Sequence, residues 1–143
     1  MTKQTQMRDP ESRQILLSFI ERINDHDVEG LAALMTDDHM FIDSLGRAVR
    51  GRLEMRRAWQ SYFLLFPDYC IVLEEIFERS AVFAVLGKAS GTYCPAGEML
   101  AENHWDIPAA WRAVVRVDRM AEWRVFADNY QTVKLIENSS MST

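Results

Sequence analysis

Apolar residues recur along this chain with two different periods. After Pro10, the residues Ile15, Leu16, Phe19, Ile20 and Ile23 fall at three-to-four-residue spacing, which puts them on one helix face. Pro10 suits the first turn of that helix. NDHDVEGLAALM breaks and restarts it: Asp27 can cap the new start, Glu29 lies in its first turn, and Leu31, Leu34 and Met35 form its buried stripe. HMFIDSLG is short, apolar and bounded by Asp37, Asp38 and Gly46, predicting a strand over His39 to Asp43. GRLEMRRAWQSYFLLFP returns to the helical period through Met55, Trp59, Tyr62, Phe63 and Phe66, and Pro67 closes it.

The second half changes character. Cys70 to Glu78, Ala81 to Thr92, Ala101 to Val117 and Glu122 to Val133 are rich in β-branched and aromatic residues. Ser80, CPAGE and RMAE separate them as tight turns, which predicts antiparallel pairing. AVFAVLGKA is apolar at both parities, so both of its faces are expected to be covered. Pro108 inside a long strand marks a bulge or an edge. The order helix–helix–strand–helix and then four strands predicts an α+β domain: a curved antiparallel sheet with the N-terminal helices packed on its concave face, closed as a cone-shaped barrel around a pocket. Residues 1–143 read as one domain, with loose tails at about 1–9 and 137–143.

Composition narrows the function. The chain has 143 residues, 48% hydrophobic and 26% charged, within the range of one globular domain. A net charge of −5 argues against a nucleic-acid partner. Arg47, Arg50, Arg52, Arg56 and Arg57 come closest to a basic cluster and read as solvated loop and helix charges, with an anion site as the minority alternative. The chain shows neither a membrane span nor a signal peptide, so no membrane partner is expected and cytoplasmic residence is. Cys70 and Cys94 lie in or beside apolar runs and read as free thiols. His26, His39 and His104 lack metal-ligand spacing, and no nucleotide-binding or metalloprotease motif occurs, so neither a metal nor a cofactor is expected.

What remains is a set of carboxylates and one histidine on apolar elements. Asp43 ends the first strand and Asp128 the last. A carboxylate in an apolar cavity loses hydration and becomes a usable general base or acid near neutral pH, and imidazole titrates there already. Asp128, Asp43 and His104 are the candidates for moving protons. Strand alternation puts Trp105, Ile107, Trp111, Ala113 and Val115 on one face and His104, Asp106 and Arg112 on the other. In the last strand it groups Arg124, Phe126 and Asp128 against Trp123, Val125 and Ala127.

FIERINDHDVEGLAALMTDDHMFID, GRAVRGRLEMRRAW and AAWRAVVRVDRMAEWRVFADN together resemble the SnoaL-like branch of the nuclear transport factor 2-like superfamily, over roughly residues 12–135. The resemblance implies a pocket between sheet and helices and a homodimer formed through the sheet. Asp43 falls where ketosteroid isomerases carry their base, but Phe19 and Ala113 stand where that activity needs oxyanion donors, so the resemblance does not extend to it. Asp128 matches the catalytic aspartate of limonene epoxide hydrolases, whose Arg-x-Asp partners would fall near Leu86 and Lys88. Asp128 also matches the acid–base aspartate of SnoaL-type polyketide cyclases, with His104 as an assistant.

These readings combine into one expectation. The chain is a small cofactor-independent acid–base enzyme (an isomerase, cyclase, dehydratase or hydratase) acting on a hydrophobic small molecule. Asp128 leads, Asp43 and His104 form the second polar pair, and Trp59, Tyr62, Phe66, Phe19, Trp105, Trp111 and Phe126 supply the wall. The rival reading is a binding or dimeric interaction protein of the same fold, whose pocket carboxylates would all be paired or exposed.

Overall fold

The computed structural model describes residues 9–141. The chain forms α1 (Asp9–Asn24), α2 (Val28–Ala33), β1 (Met35–Ile42), β2 (Ala48–Arg50), α3 (Arg52–Leu65), β3 (Cys70–Arg79), β4 (Val82–Thr92), β5 (His104–Arg116), β6 (Arg119–Ala127) and α4 (Tyr130–Met141), with a short 3₁₀ turn at Ala101–Asn103. Leu16, Phe19, Ile20 and Ile23 are buried on α1, as their spacing predicts. Asp27 caps α2 by accepting the backbone N–H of Gly30 at 2.9 Å.

The α+β class is the one the sequence predicts, but the sheet differs in two respects. Its six strands run in the order β2-β1-β6-β5-β4-β3, so it stays open, with edges at β2 and β3, and is not a closed barrel. It is also mixed: β3 to β6 are antiparallel neighbours, whereas β1 lies parallel to β6. Only strands joined by a short turn are forced to be antiparallel. More than half of the chain separates β1 from β6, leaving their direction to packing. β2, which the hydrophobic pattern does not reveal in its three residues, hairpins back on β1.

The interior forms between α1, α3 and the inner sheet face, where Phe83, Val85, Ala89, Trp105, Ile107, Trp111, Ala113, Val115, Met120 and Trp123 are buried. Burial along β5 alternates strictly, and its pairing with β4 runs through Pro108 without a register shift. Pro108 therefore makes no bulge; β6 pairing begins only at Ala109, so Pro108 lies at a local edge that needs no donor. A bulge falls instead in β3, between Leu73 and Glu75 opposite Gly87. A Cβ on Gly87 would lie 2.0 Å from the Val72 carbonyl oxygen, so that close approach requires glycine. The outer face of β4, with Ala84, Leu86 and Lys88, is exposed in the single chain rather than covered on both sides.

The last strand also ends earlier than the pattern suggests. β6 stops at Ala127, and the segment read as strand to Val133 and as tail from 137 is α4 through Met141. Residues 1–8 and 142–143 of the expected tails lie outside the described residues. Among the described residues no helix is long and apolar enough to cross a membrane.

Candidate functional site

An aromatic wall begins on α3. Trp59, Tyr62 and Phe66 recur at three and four residues, so one helix face carries all three. Pro67 cannot continue the helix, and the turn after it brings Tyr69 back against the same face: the Tyr69 N–H bonds the Phe66 carbonyl at 3.0 Å. The rings of Tyr62 and Tyr69 meet edge-to-face at 5.0 Å, Tyr62 and Phe66 lie 4.7 Å apart, and Phe66 meets Trp105 of β5 at 5.8 Å. Trp111 and Trp123 stack at 5.9 Å on the facing sheet.

These walls do not close on one another. Gly87, Ala109 and Ala127 stand side by side across β4, β5 and β6, and Ala89 follows along β4. This patch of small side chains on the inner sheet face leaves a cavity of about 370 Å³. Trp59, Tyr62, Phe66, Trp105 and Trp111 of the expected wall all line it. The rest of the lining includes Tyr69, Trp123, Val125 and, from α4, Thr132, Val133 and Ile136. Asn129, Thr132, Val133 and Ile136 share one helix face at i, i+3, i+4 and i+7, a signal present in the sequence but masked by the β-rich residues before it.

Among the described residues Asp43 is the sole carboxylate of the lining, partly exposed in the turn between β1 and β2. Its Oδ1 accepts the N–H groups of Leu45 and Arg47, each at 2.9 Å, and its Oδ2 accepts Arg47 Nε at 3.1 Å. A carboxylate has about four acceptor positions, so roughly one, on Oδ2, is left for another partner.

The structure does not bring Asp128 or His104 to this cavity. Asp128 is exposed and its Oδ1 accepts the N–H of Tyr130 at 3.1 Å, tying down the start of α4. Trp123, Val125 and Ala127 are the β6 residues that face the cavity, so alternation turns Asp128 and Phe126 to the outer face. Phe126 lies there under the Arg124 guanidinium, 4.9 Å from its ring centroid. Phe19 is buried in the core against Trp123, not on the lining. His104 is exposed on the outer side of β5, with Nδ1 2.9 Å from Thr92 Oγ1, which donates to Asp68 Oδ2 at 2.7 Å. It borders a shallower depression with Met99, Leu100 and Ala101.

The polar groups on the aromatic wall of the cavity are phenols and indoles. Burial pushes the phenols of Tyr62 and Tyr69 above their ordinary range, Tyr69 furthest, so both stay protonated. The indole N–H groups of Trp59, Trp105 and Trp111 are buried without an acceptor. Four of the five clustered arginines pair with carboxylates: Arg47 with Asp43, Arg52 with Asp37, Arg56 with Glu29 and Arg57 with Glu54, leaving little field for an anion. Cys70 and Cys94 are free. Among the described residues no group of three or more His, Cys, Asp or Glu side chains is placed to hold a metal.

An α+β domain with three helices in its N-terminal half, an open mixed sheet and a cavity between them has the architecture of the nuclear transport factor 2-like superfamily. Within it the chain belongs to the SnoaL-like domain family, which matches residues 16–129. Solved structures share the fold at low identity. A protein proposed to be a SnoaL-like polyketide cyclase from Shewanella denitrificans is 16% identical with a TM-score of 0.77, over 92% of this chain and 99% of that one. An epoxide hydrolase of Mycobacterium tuberculosis resembling limonene epoxide hydrolase is 13% identical with a TM-score of 0.74, over 93% and 94%. A Catenulispora acidiphila protein with a ketosteroid isomerase-like fold, in complex with trimethylamine, is 10% identical with a TM-score of 0.73, over 85% and 91%. No curated protein matches the sequence.

Proposed function

We propose that this domain binds a hydrophobic small molecule in the cavity and performs cofactor-independent acid–base chemistry there, with Asp43 as the proton acceptor. One observation carries the reading: an aromatic cavity of about 370 Å³ has a single carboxylate among its described lining residues, the partly exposed Asp43. The volume is within the range of small-molecule sites, which are mostly apolar with a few placed polar groups. Isomerisation, cyclisation, dehydration and hydration all need a positioned proton acceptor, and the likeness to cyclase-type and epoxide hydrolase-type folds supports that range of reactions. Asp128 and His104, both exposed and outside the lining, receive structural roles in this reading. Cytoplasmic residence and a homodimer joined through the outer sheet face belong to the same proposal.

Asp43→Asn tests the chemistry. Asparagine keeps the side-chain oxygen that the Leu45 and Arg47 N–H groups require, so the turn and the fold are expected to survive. Turnover of a substrate found by screening hydrophobic ketones and epoxides should fall about 10²–10⁴-fold with binding retained. Unchanged turnover would remove Asp43 from the mechanism. A second reading, ligand binding without chemistry, is favoured by the three hydrogen bonds that already occupy Asp43. It predicts saturable binding of the same ligands with no product from any of them.

A further inference from the structure

A second set of polar groups meets outside the cavity, at the start of β5. Asp68, in the turn after α3, accepts twice from Thr92 at the end of β4: the backbone N–H on Oδ1 and the hydroxyl on Oδ2, each at 2.7 Å. Thr92 is buried, and the β4–β5 register sets it opposite His104, with Oγ1 2.9 Å from the ring Nδ1. A threonine hydroxyl has one proton and a carboxylate only accepts, so that proton goes to Asp68. Oγ1 then offers His104 a lone pair, and Nδ1 must be the donor. In the neutral imidazole the single N–H is thereby used at Nδ1, and Nε2 is left as an acceptor. Among the described residues Nε2 has no hydrogen-bond partner, and the side chain is half-exposed.

His104 and Thr92 border a depression whose other walls are Met99, Leu100 and Ala101, all three exposed. The Thr92 hydroxyl is engaged and the other three side chains are apolar, so Nε2 is the one open polar atom among the lining side chains. No lysine or arginine lines the depression to hold an anion, and among the described residues no group of three or more His, Cys, Asp or Glu side chains is placed to hold a metal. A neutral apolar molecule with a hydrogen-bond donor meets both conditions. We propose that this depression is a second ligand site, where His104 Nε2 accepts a hydrogen bond from the O–H of a phenol whose ring lies on Met99 and Leu100. A flat ring suits the thioether, which makes favourable contacts with aromatic rings. Asp68 and Thr92 position the imidazole: they act through Nδ1 and fix which nitrogen faces the ligand. The site is separate from the cavity and does not rest on the chemistry proposed for Asp43.

The test compares 2-naphthol with 2-methoxynaphthalene, which has the same rings and no O–H. Imidazole nitrogen NMR of the wild-type protein, at a pH where the spectrum shows the neutral ring, should place the His104 proton on Nδ1. Thr92→Ser should keep that tautomer and Thr92→Val should lose it. Titration with 2-naphthol should shift the His104 Nε2 and Met99 methyl signals together. Read at those two signals, its affinity should exceed that of 2-methoxynaphthalene by about two- to tenfold. The preference should survive in Ala109→Phe, which fills the cavity between sheet and helices, and disappear in His104→Phe, which keeps a flat ring and has no acceptor. A wild-type proton on Nε2, an unchanged tautomer in Thr92→Val, or equal affinity for the two probes would overturn the proposal. So would 2-naphthol that leaves Met99 and His104 unmoved up to its solubility. None of these results bears on the cavity.

Discussion

His39 is an imidazole held in the core, fully buried, with Nδ1 2.8 Å from the Met120 carbonyl oxygen and Nε2 buried without a partner. Nδ1 therefore carries the proton of the neutral ring. Burial lowers its proton affinity below the ordinary 6.5, outweighing the Met120 hydrogen bond and the carboxylates of Glu122 and Asp38. The unfolded chain then binds a proton that the native chain refuses, so stability is full above pH 6.5 and falls as pH drops below it. Chemical denaturation at several pH values should show a loss approaching about 1.4 kcal/mol per pH unit on the acid side of that midpoint. His39→Gln should flatten that part of the profile, whatever it costs in packing; an equally steep profile would place the titration elsewhere. Asp128 teaches a different lesson at the same scale. Alternation along RVFAD groups Asp128 with Arg124 and Phe126, opposite Trp123, and β6 follows that alternation. Family resemblance pointed to the same aspartate as catalytic, and on its orientation the local pattern was the better guide. Tyr69 was not legible: a residue in a turn has no period to announce which way it faces.

At the scale of elements, β4 depends on a single missing methyl. Gly87 faces the bulge in β3, where the added Cβ would lie 2.0 Å from a backbone oxygen, and backbone cannot step aside as a side chain can. Gly87→Ala should destabilise the domain by roughly 1–3 kcal/mol or more, read as a lower denaturant midpoint. A neutral result would mean that the two strands separate there without cost. Helices α1 and α3 and strand β5 were legible because each holds one period over many residues, and β4 because its β-branched and aromatic residues form one run between turns. Two other elements were not, and β1 was legible only in its second half. β2 is only three residues long, too short to show a period. β1 begins earlier than its apolar core because Thr36, Asp37 and Asp38 lie in it. α4 follows so closely on the β-branched and aromatic residues of β6 that its own stripe, Val133 and Ile136, reads as a continuation of the strand.

At the scale of the whole molecule, one sheet separates two apolar surfaces. The inner one lines the core and cavity. The outer one carries rows running Glu75–Leu86–Ala110–Phe126 and Phe77–Ala84–Arg112–Arg124, with Leu86 37%, Phe126 48% and Phe77 56% exposed. Adjacent exposed apolar side chains of this kind mark interaction surfaces. The double apolar parity of β4 is accounted for if a second copy packs against this face. Sedimentation should then give about twice the 16.6 kDa of the single chain, and Leu86→Asp should return it to one copy; a wild-type monomer would refute the dimer. The cavity exists because small residues meet across three strands, and no single segment of sequence encodes that row. Register alone assembles Gly87, Ala109 and Ala127.

Ala109→Phe places a ring in the middle of that row, on a buried position that faces the cavity. Calorimetric titration of wild-type and Ala109→Phe protein with 2-acetylnaphthalene is the most direct measurement of whether the cavity is the working site. The account predicts saturable one-to-one binding to wild-type protein and none to the folded variant. Equal affinity in the two proteins, or no binding to either, would contradict it.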